Sequence, residues 1–139
     1  MFEITDDYLA AQEHLKALLN DVDGVRSVNY LLDLADIKEE TQRTPCLHLM
    51  YYGDQLPETS NGGAYMPIKQ TWLVIVVVRQ SRTENAGELI TRTIKALAGK
   101  KAGPTGPWLR VNTPAKPRFS DGFAYYPLAF TSQMRLKGA

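Results

Sequence analysis

Gln70-Thr-Trp-Leu-Val-Ile-Val-Val-Val-Arg79 is the stretch that decides the fold of this 139-residue chain. From Trp72 to Val78 it holds four valines and an isoleucine, the β-branched residues that favour extended backbone. Consecutive side chains of a strand point to opposite faces, so a run this apolar predicts a strand covered on both sides, by helices or by another subunit. We expect the sheet to be built around it.

Two helices are predicted, one before this strand and one after it. The first spans about Asp6–Asn20, where apolar residues recur at steps of three and four and form one stripe. That stripe consists of Tyr8, Ala11, Leu15, Leu18 and Val22. The second spans about Thr83–Ala98, and we expect a capping box of Ser81 and Glu84 to open it.

Shorter apolar or alternating runs predict four further strands. They are Val25–Leu31, Leu47–Tyr52, Trp108–Thr113 and Phe123–Leu136. The first of them has an alternative, in which Leu31, Leu34 and Ile37 continue as a helical turn. We expect Asp33–Arg43 to form an exposed loop and Pro127 to mark an edge position or a bulge. The order of elements predicts one α+β domain over 1–139, a mostly antiparallel sheet of about five strands with two helices packed on one face.

The connection Gly53–Pro67 is long for a link between two paired strands, and it is rich in turn-forming residues. It is interpreted as a contact loop or as an extended hairpin arm. A second turn-rich segment is Pro114–Gly122. Apolar residues in otherwise polar loops are a mild signal of an interface. The candidate interface residues are Leu56, Tyr65, Met66, Arg118 and Phe119, although packing on the subunit's own core is an equally good interpretation of the apolar ones.

The net charge is only +1, and the charges look interspersed along the chain. Only Lys100–Lys101 and the set Arg110, Lys116 and Arg118 indicate a basic patch, so a dedicated nucleic-acid binder is not expected. The N-terminus is acidic where a signal peptide would be basic, and no apolar run could span a bilayer as a helix. We therefore expect a soluble protein without membrane contact, made in the cytoplasm.

Catalytic chemistry has few candidates in this sequence. Cys46 is the only cysteine and is expected to be a buried, inert thiol. His14 and His48 are not at metal-ligand spacing with each other or with Cys46. The acids Asp33, Asp36, Glu39 and Glu40 are interpreted as a solvated run. We expect no catalytic residue, metal or cofactor, and no enzyme.

The layout resembles a known family in several short stretches. They are Pro45-Cys-Leu-His-Leu-Met-Tyr-Tyr-Gly53, the Gln70–Arg79 strand, Gly87-Glu-Leu-Ile in the second helix and Phe123-Ala-Tyr-Tyr-Pro-Leu-Ala-Phe130. With the N-terminal helix, this pattern is similar to the tail terminator proteins of tailed bacteriophages and prophages, minor tail proteins that cap the tail tube. The resemblance covers nearly the whole chain.

The resemblance implies a structural virion protein at the head-proximal end of the tail, assembled in the host cytoplasm. Such subunits form a hexameric ring that stops tube polymerisation and presents a surface to the head-completion or connector protein. DNA passes through the lumen without specific binding. The alternatives are another phage neck protein, a tail completion or head-closure subunit, or a small non-enzymatic protein-binding module.

Overall fold

The apolar strand lies at the centre of a seven-stranded sheet in the computed structural model, which describes residues 2–32, 35, 37–38, 42–56, 65–80, 84–100 and 106–137. The elements in chain order are β1 (Phe2–Ile4), α1 (Ala11–Asn20), β2 (Ser27–Leu31), β3 (Cys46–Gln55), β4 (Tyr65–Arg79), α2 (Ala86–Leu97), β5 (Leu109–Val111), β6 (Arg118–Ser120) and β7 (Phe123–Lys137). The predicted α+β class is confirmed. The two strands that were not predicted, β1 and β6, have three residues each.

Antiparallel pairing dominates the sheet, as expected. The apolar strand β4 lies between β3 and β7 and is antiparallel to both, while β2 adds to β3 in parallel. The other side of β7 is shared by three short strands, with β6 pairing 123–125, β5 pairing 129–131 and β1 pairing 134–136. One edge of the sheet is therefore β2, and the opposite edge is the broken row of β6, β5 and β1.

Both helices pack on one face of the sheet, which confirms the predicted layering. They bury Ala11, Leu15 and Leu19 from α1, and Leu89, Thr93 and Leu97 from α2. These side chains join the residues of β3, β4 and β7 that point to the same side in a single core. Trp72 is the largest side chain of β4 in this core and is 0% exposed.

The opposite face of the sheet is also apolar, but no described helix covers it. Two smaller clusters lie there, one around Ile75 and Val77 and the other around Leu73 and Ala129. Ile37 packs against both clusters. The expectation of an exposed loop at Asp33–Arg43 is therefore wrong at Ile37, because the sheet needs apolar cover on this side.

The helix starts differ from the predicted ones for a local reason. α1 begins at Ala11 rather than near Asp6, after a turn in which the Asp7 carboxylate accepts a hydrogen bond from the Leu9 N–H at 2.9 Å. At α2 the cap is Asn85, whose side chain accepts from the Glu88 N–H at 3.1 Å. The capping box predicted at Ser81 and Glu84 is thus wrong, and Ser81 itself lies outside the described residues.

The long connection Gly53–Pro67 is shorter than predicted, because both strands run into it. Gly53 pairs with Thr71 and Gln55 with Lys69, after a bulge at Tyr52. The described part is therefore a hairpin arm, which was the alternative interpretation, and residues 57–64 lie outside the described ranges. The opposite hairpin, β6–β7, turns at Asp121 and Gly122, both with positive φ (50° and 83°), as a tight two-residue turn requires.

Pro127 lies opposite Ile75 inside the β4–β7 ladder. On its other side, β7 is paired at 123–125 and at 129–131 but not between them. A residue without an N–H is tolerated in such a gap. The predicted edge position is thus confirmed locally, although β7 as a whole is an inner strand.

Candidate functional site

The most reactive side chains of the chain, Cys46 and His48, point to the same side of β3. The Cys46 Sγ lies 4.0 Å from the His48 Nε2, and that nitrogen lies 2.9 Å from the Gln42 Oε1. An amide oxygen only accepts, so the Nε2 of His48 carries the proton and donates it to Gln42. The Gln42 amide nitrogen donates in turn to the Tyr125 hydroxyl at 2.9 Å.

This arrangement does not produce a nucleophile. Burial, with a smaller contribution from the negative charge of Glu84, raises the pKa of Cys46 to about 12. Burial also lowers the pKa of His48 to about 4. Both groups are held neutral, which is the reverse of the thiolate–imidazolium pair that covalent catalysis needs. Cys46 is buried, as predicted.

No metal site emerges among the residues whose placement is described, since they contain no group of three or more His, Cys, Asp or Glu side chains that could hold an ion. The acidic run Asp33, Asp36, Glu39 and Glu40 lies outside those ranges. Over the same ranges, neither helix combines the length and apolar character needed to cross a bilayer.

The candidate interface residues fall into two separate places. Met66 pairs with Leu136 and Arg118 with Tyr125, so the two places lie eleven residues apart along β7. At about 3.3 Å per residue this is roughly 36 Å. They cannot form one continuous contact patch on a subunit.

The first place is the hairpin arm. Leu56 follows the end of β3 and is 58% exposed, and it lines an open cavity of about 240 Å³ with residues of β3, β4 and β7. Met66 is half-buried against the main core, so its apolar side chain serves packing as well. Tyr65 is the first residue of β4, and its side chain lies outside the described part.

The second place is β6. Phe119 is 59% exposed, and its ring meets the Tyr126 ring edge-on at 6.3 Å between centroids. Arg118 points to the other face, where its guanidinium lies 5.3 Å from the centre of the Tyr125 ring. A cation stacked on an aromatic ring keeps its charge while it loses conformational freedom, which suits a contact surface.

A polar cluster, buried at Gln70 and open to solvent at Asp54, holds the hairpin arm against the N-terminal segment. Gln70 is 0% exposed; its side-chain oxygen accepts from the Trp72 indole N–H at 3.1 Å, and its nitrogen donates to the Tyr8 carbonyl at 2.8 Å. The Tyr8 hydroxyl donates to the Asp54 carboxylate. Burial, and then the bond to Asp54, raises the pKa of Tyr8. These contacts fix the base of the arm that carries Leu56.

Four exposed apolar side chains were missed by the sequence interpretation: Leu32, Tyr52, Leu109 and Val111. The sequence pattern did carry a signal for Leu109 and Val111. They alternate with Trp108, and because the larger indole takes the buried position (0% exposed), its neighbours on β5 are left outside. Leu32 directly follows β2 and is 80% exposed, at the other edge of the sheet.

The model of one protein family, the phage tail terminator protein, matches residues 4–139. The chain belongs to the phage tail terminator family. Membership of this structural family assigns it a structural role in a phage tail, as a virion component assembled with other tail proteins. The resemblance noted in the sequence is thereby confirmed.

The terminator fold recurs in a solved structure with little sequence in common. A chain of a structure titled "Virion of native gene transfer agent (GTA) particle" matches with a TM-score of 0.51 and 12% identity, over 90% of this chain and 91% of that one. At this identity the likeness is one of fold. No curated protein matches the chain.

Proposed function

We propose that this protein forms a closed ring at the head-proximal end of the tail tube. The ring is a hexamer, as the resemblance to tail terminator proteins implies. The ring stops polymerisation of the tube protein and offers a surface to the head-completion or connector protein. The observation that carries the proposal is the family match over residues 4–139. No catalytic step or cofactor is part of it.

Ring formation requires two different, complementary patches on each subunit. Exposed large apolar residues occur at opposite edges of this sheet, which supports such a head-to-tail contact. At one edge Leu32 follows β2, and at the other Leu109, Val111 and Phe119 lie on β5 and β6. Isolated exposed apolar residues are ordinary, but their placement at both edges is what a ring subunit needs.

The hairpin arm is the proposed contact with the tail tube. It continues the β3–β4 ladder past the bulge at Tyr52, its base is held by the Gln70 contacts, and it carries the exposed Leu56. DNA is proposed to pass through the lumen without sequence-specific contact, since a net charge of +1 supplies little general affinity for phosphates.

Tube polymerisation with and without this protein tests the proposal. Purified tube protein is allowed to polymerise, and tube lengths and tube ends are measured by negative-stain electron microscopy. We expect shorter tubes with a ring at one end when the protein is present. Tubes of unchanged length with bare ends, at protein concentrations well above that of tube ends, would refute capping.

The arm is tested in the same assay with Leu56→Asp. A charged side chain there opposes burial against the tube, so we expect capping to be lost while the far-ultraviolet circular dichroism spectrum is kept. Lys95→Ser, an exposed change on α2 rather than on the arm, is the control. If the Leu56→Asp variant capped tubes as well as the control does, the arm would not be part of the tube contact.

A further inference from the structure

A groove lies on the face of the sheet opposite the helices. Its floor is the cross-strand pair Ile75 and Pro127, at the point where β7 has no described strand partner on its other side. The rest of its lining comes from β4, β7, the start of β6 and the segments before β3 and β6: Leu73, Tyr125, Arg118, Ile37, Ala115 and Lys116. The cavity measures about 190 Å³. Since an apolar cavity of about 150 Å³ holds a benzene ring, the groove has room for one large apolar side chain.

Two exposed cations, Lys116 and Arg118, lie at this groove. The Arg118 guanidinium is stacked on the Tyr125 ring, with its carbon 5.3 Å from the ring centre. That ring is a fixed platform, because Tyr125 is 3% exposed and its hydroxyl accepts from the Gln42 amide at 2.9 Å. Stacking occupies the face of a guanidinium and leaves the N–H groups in its plane able to bind a carboxylate through two parallel hydrogen bonds. Arg118 is therefore positioned to bind an anion.

The described part of the subunit does not neutralise these two charges. Neither Lys116 nor Arg118 has an ion-pair partner among the described residues, and no described carboxylate lines the groove. Glu84 accepts a hydrogen bond from the Thr44 hydroxyl at 3.1 Å, and Asp121 lies in the turn after β6. The groove thus combines an apolar floor with two positive charges that are left for a ligand.

We propose that this groove binds an extended segment of another virion protein, in which a large apolar side chain lies next to a carboxylate. The inference rests on the proposed function for the class of partner, a tail-tube or connector protein. The apolar side chain covers Ile75 and Pro127, the carboxylate bonds to Arg118, and Lys116 adds its charge. A nucleic-acid phosphate would meet the cations but leave the apolar floor uncovered, so a protein segment matches both halves of the groove.

Fluorescence anisotropy with defined peptides tests the chemistry of the ligand. The probe is the labelled peptide Gly-Asp-Leu-Asp-Gly, and two matched peptides replace its leucine by alanine or its aspartates by asparagine. We expect the probe to bind the single subunit with a Kd below about 1 mM, and each matched peptide to bind at least about tenfold more weakly. No saturable binding of the probe up to about 1 mM would overturn the proposal. Equal binding of the alanine peptide would also overturn it, because the site would then be only a charged patch.

Two variants of the protein test whether the probe binds in the groove. Ala115→Phe fills the cavity without a change of charge, and Arg118→Gln removes the stacked cation but keeps part of its stem. Each should weaken binding at least about tenfold while the circular dichroism spectrum is kept. Arg110→Gln is the matched control, because Arg110 pairs with Phe130, whose ring lies in the main core, and so points to the face that carries the helices. Binding of wild-type strength by either groove variant would overturn the proposal.

The chain's own acidic run is the competing occupant, since it surrounds Ile37 in the sequence. Its four acids lie outside the described residues, and all are changed to amides in one variant: Asp33→Asn, Asp36→Asn, Glu39→Gln and Glu40→Gln. The Kd of the probe should stay within about twofold. A Kd lowered by about tenfold or more would assign the groove to this run and overturn the proposal. These measurements use the single subunit, so their failure leaves ring formation and capping standing, whereas loss of capping with intact probe binding would refute the proposed function alone.

Discussion

The hydrogen bonds of Gln70 give the sharpest test of how the hairpin arm is held. Its side chain is fully buried and joins β4 to the turn before α1, by accepting from the Trp72 indole on β4 and donating to the Tyr8 carbonyl in the turn. Gln70→Leu keeps most of the side-chain volume but removes both bonds. The Trp72 N–H is then left buried without a partner among the described residues.

The expected loss of stability comes mainly from that indole group. A buried donor without an acceptor costs about 1–3 kcal/mol, and the Tyr8 carbonyl adds less because Tyr8 is only half-buried and water can reach it. We expect Gln70→Leu to lower the free energy of unfolding by about 2–4 kcal/mol. Trp72→Phe removes the donor and leaves unfilled volume, for a loss of about 2–4 kcal/mol.

The double variant separates the hydrogen bond from packing. With both changes made, no indole N–H remains to be orphaned, so the combined loss should be smaller than the sum of the single losses by about 1–2 kcal/mol. Urea denaturation followed by far-ultraviolet circular dichroism measures each value. Gln133→Leu, an exposed change on β7, is the control and should cost less than about 0.5 kcal/mol. Strictly additive losses would refute the Gln70–Trp72 bond.

Three further expectations follow from burial. Trp72→Asp should abolish cooperative thermal unfolding, because it places a carboxylate in the core. Leu56→Asp should change the free energy of unfolding by less than about 0.5 kcal/mol and should impair capping. Equal losses of stability in the two variants would contradict this division. Burial lowers the pKa of His48 from 6.5 to about 4, so the unfolded chain binds more protons between these values. Stability should therefore fall by about 3 kcal/mol from pH 6.5 to pH 4, and a parallel curve for His48→Gln would count against this cause. Cys46 is buried and has a pKa of about 12, so it should react with iodoacetamide at pH 8 only as fast as the chain unfolds. Labelling of Cys46 at the rate of a free thiol would show instead that its side chain is accessible.

The sequence predicted only part of the candidate site. Leu56 and Phe119 stood out as apolar residues in polar loops, and both are exposed in the structure. Met66 carried the same signal but packs partly on the core, because β4 begins earlier than its apolar run suggested. Leu109 was interpreted only as part of a strand. Its exposure depends on Trp108 taking the buried side, which a pattern of alternation alone does not decide.

By itself the sequence determined the elements whose periodicity is long and regular. The run Trp72–Val78, the stripe of the first helix and the alternation of Phe123–Leu136 each repeat a local geometry, so the strand, the helix and the buried face could be predicted from them. The small number of reactive side chains led us to expect a structural role rather than a catalytic one. These properties depend on residues close together in the chain.

Only the tertiary structure decided which side chains meet across the chain. The pairing of β2 with β3 is parallel, three short strands share one side of β7, and Gln70 contacts Tyr8 across 62 residues of sequence. Short strands such as β1 and β6 have too little periodicity to be seen and form because β7 offers them open hydrogen-bonding groups. The place of β2 at the end of the described sheet is in the same way a property of the assembled sheet, since the sequence specifies a strand but not its neighbours.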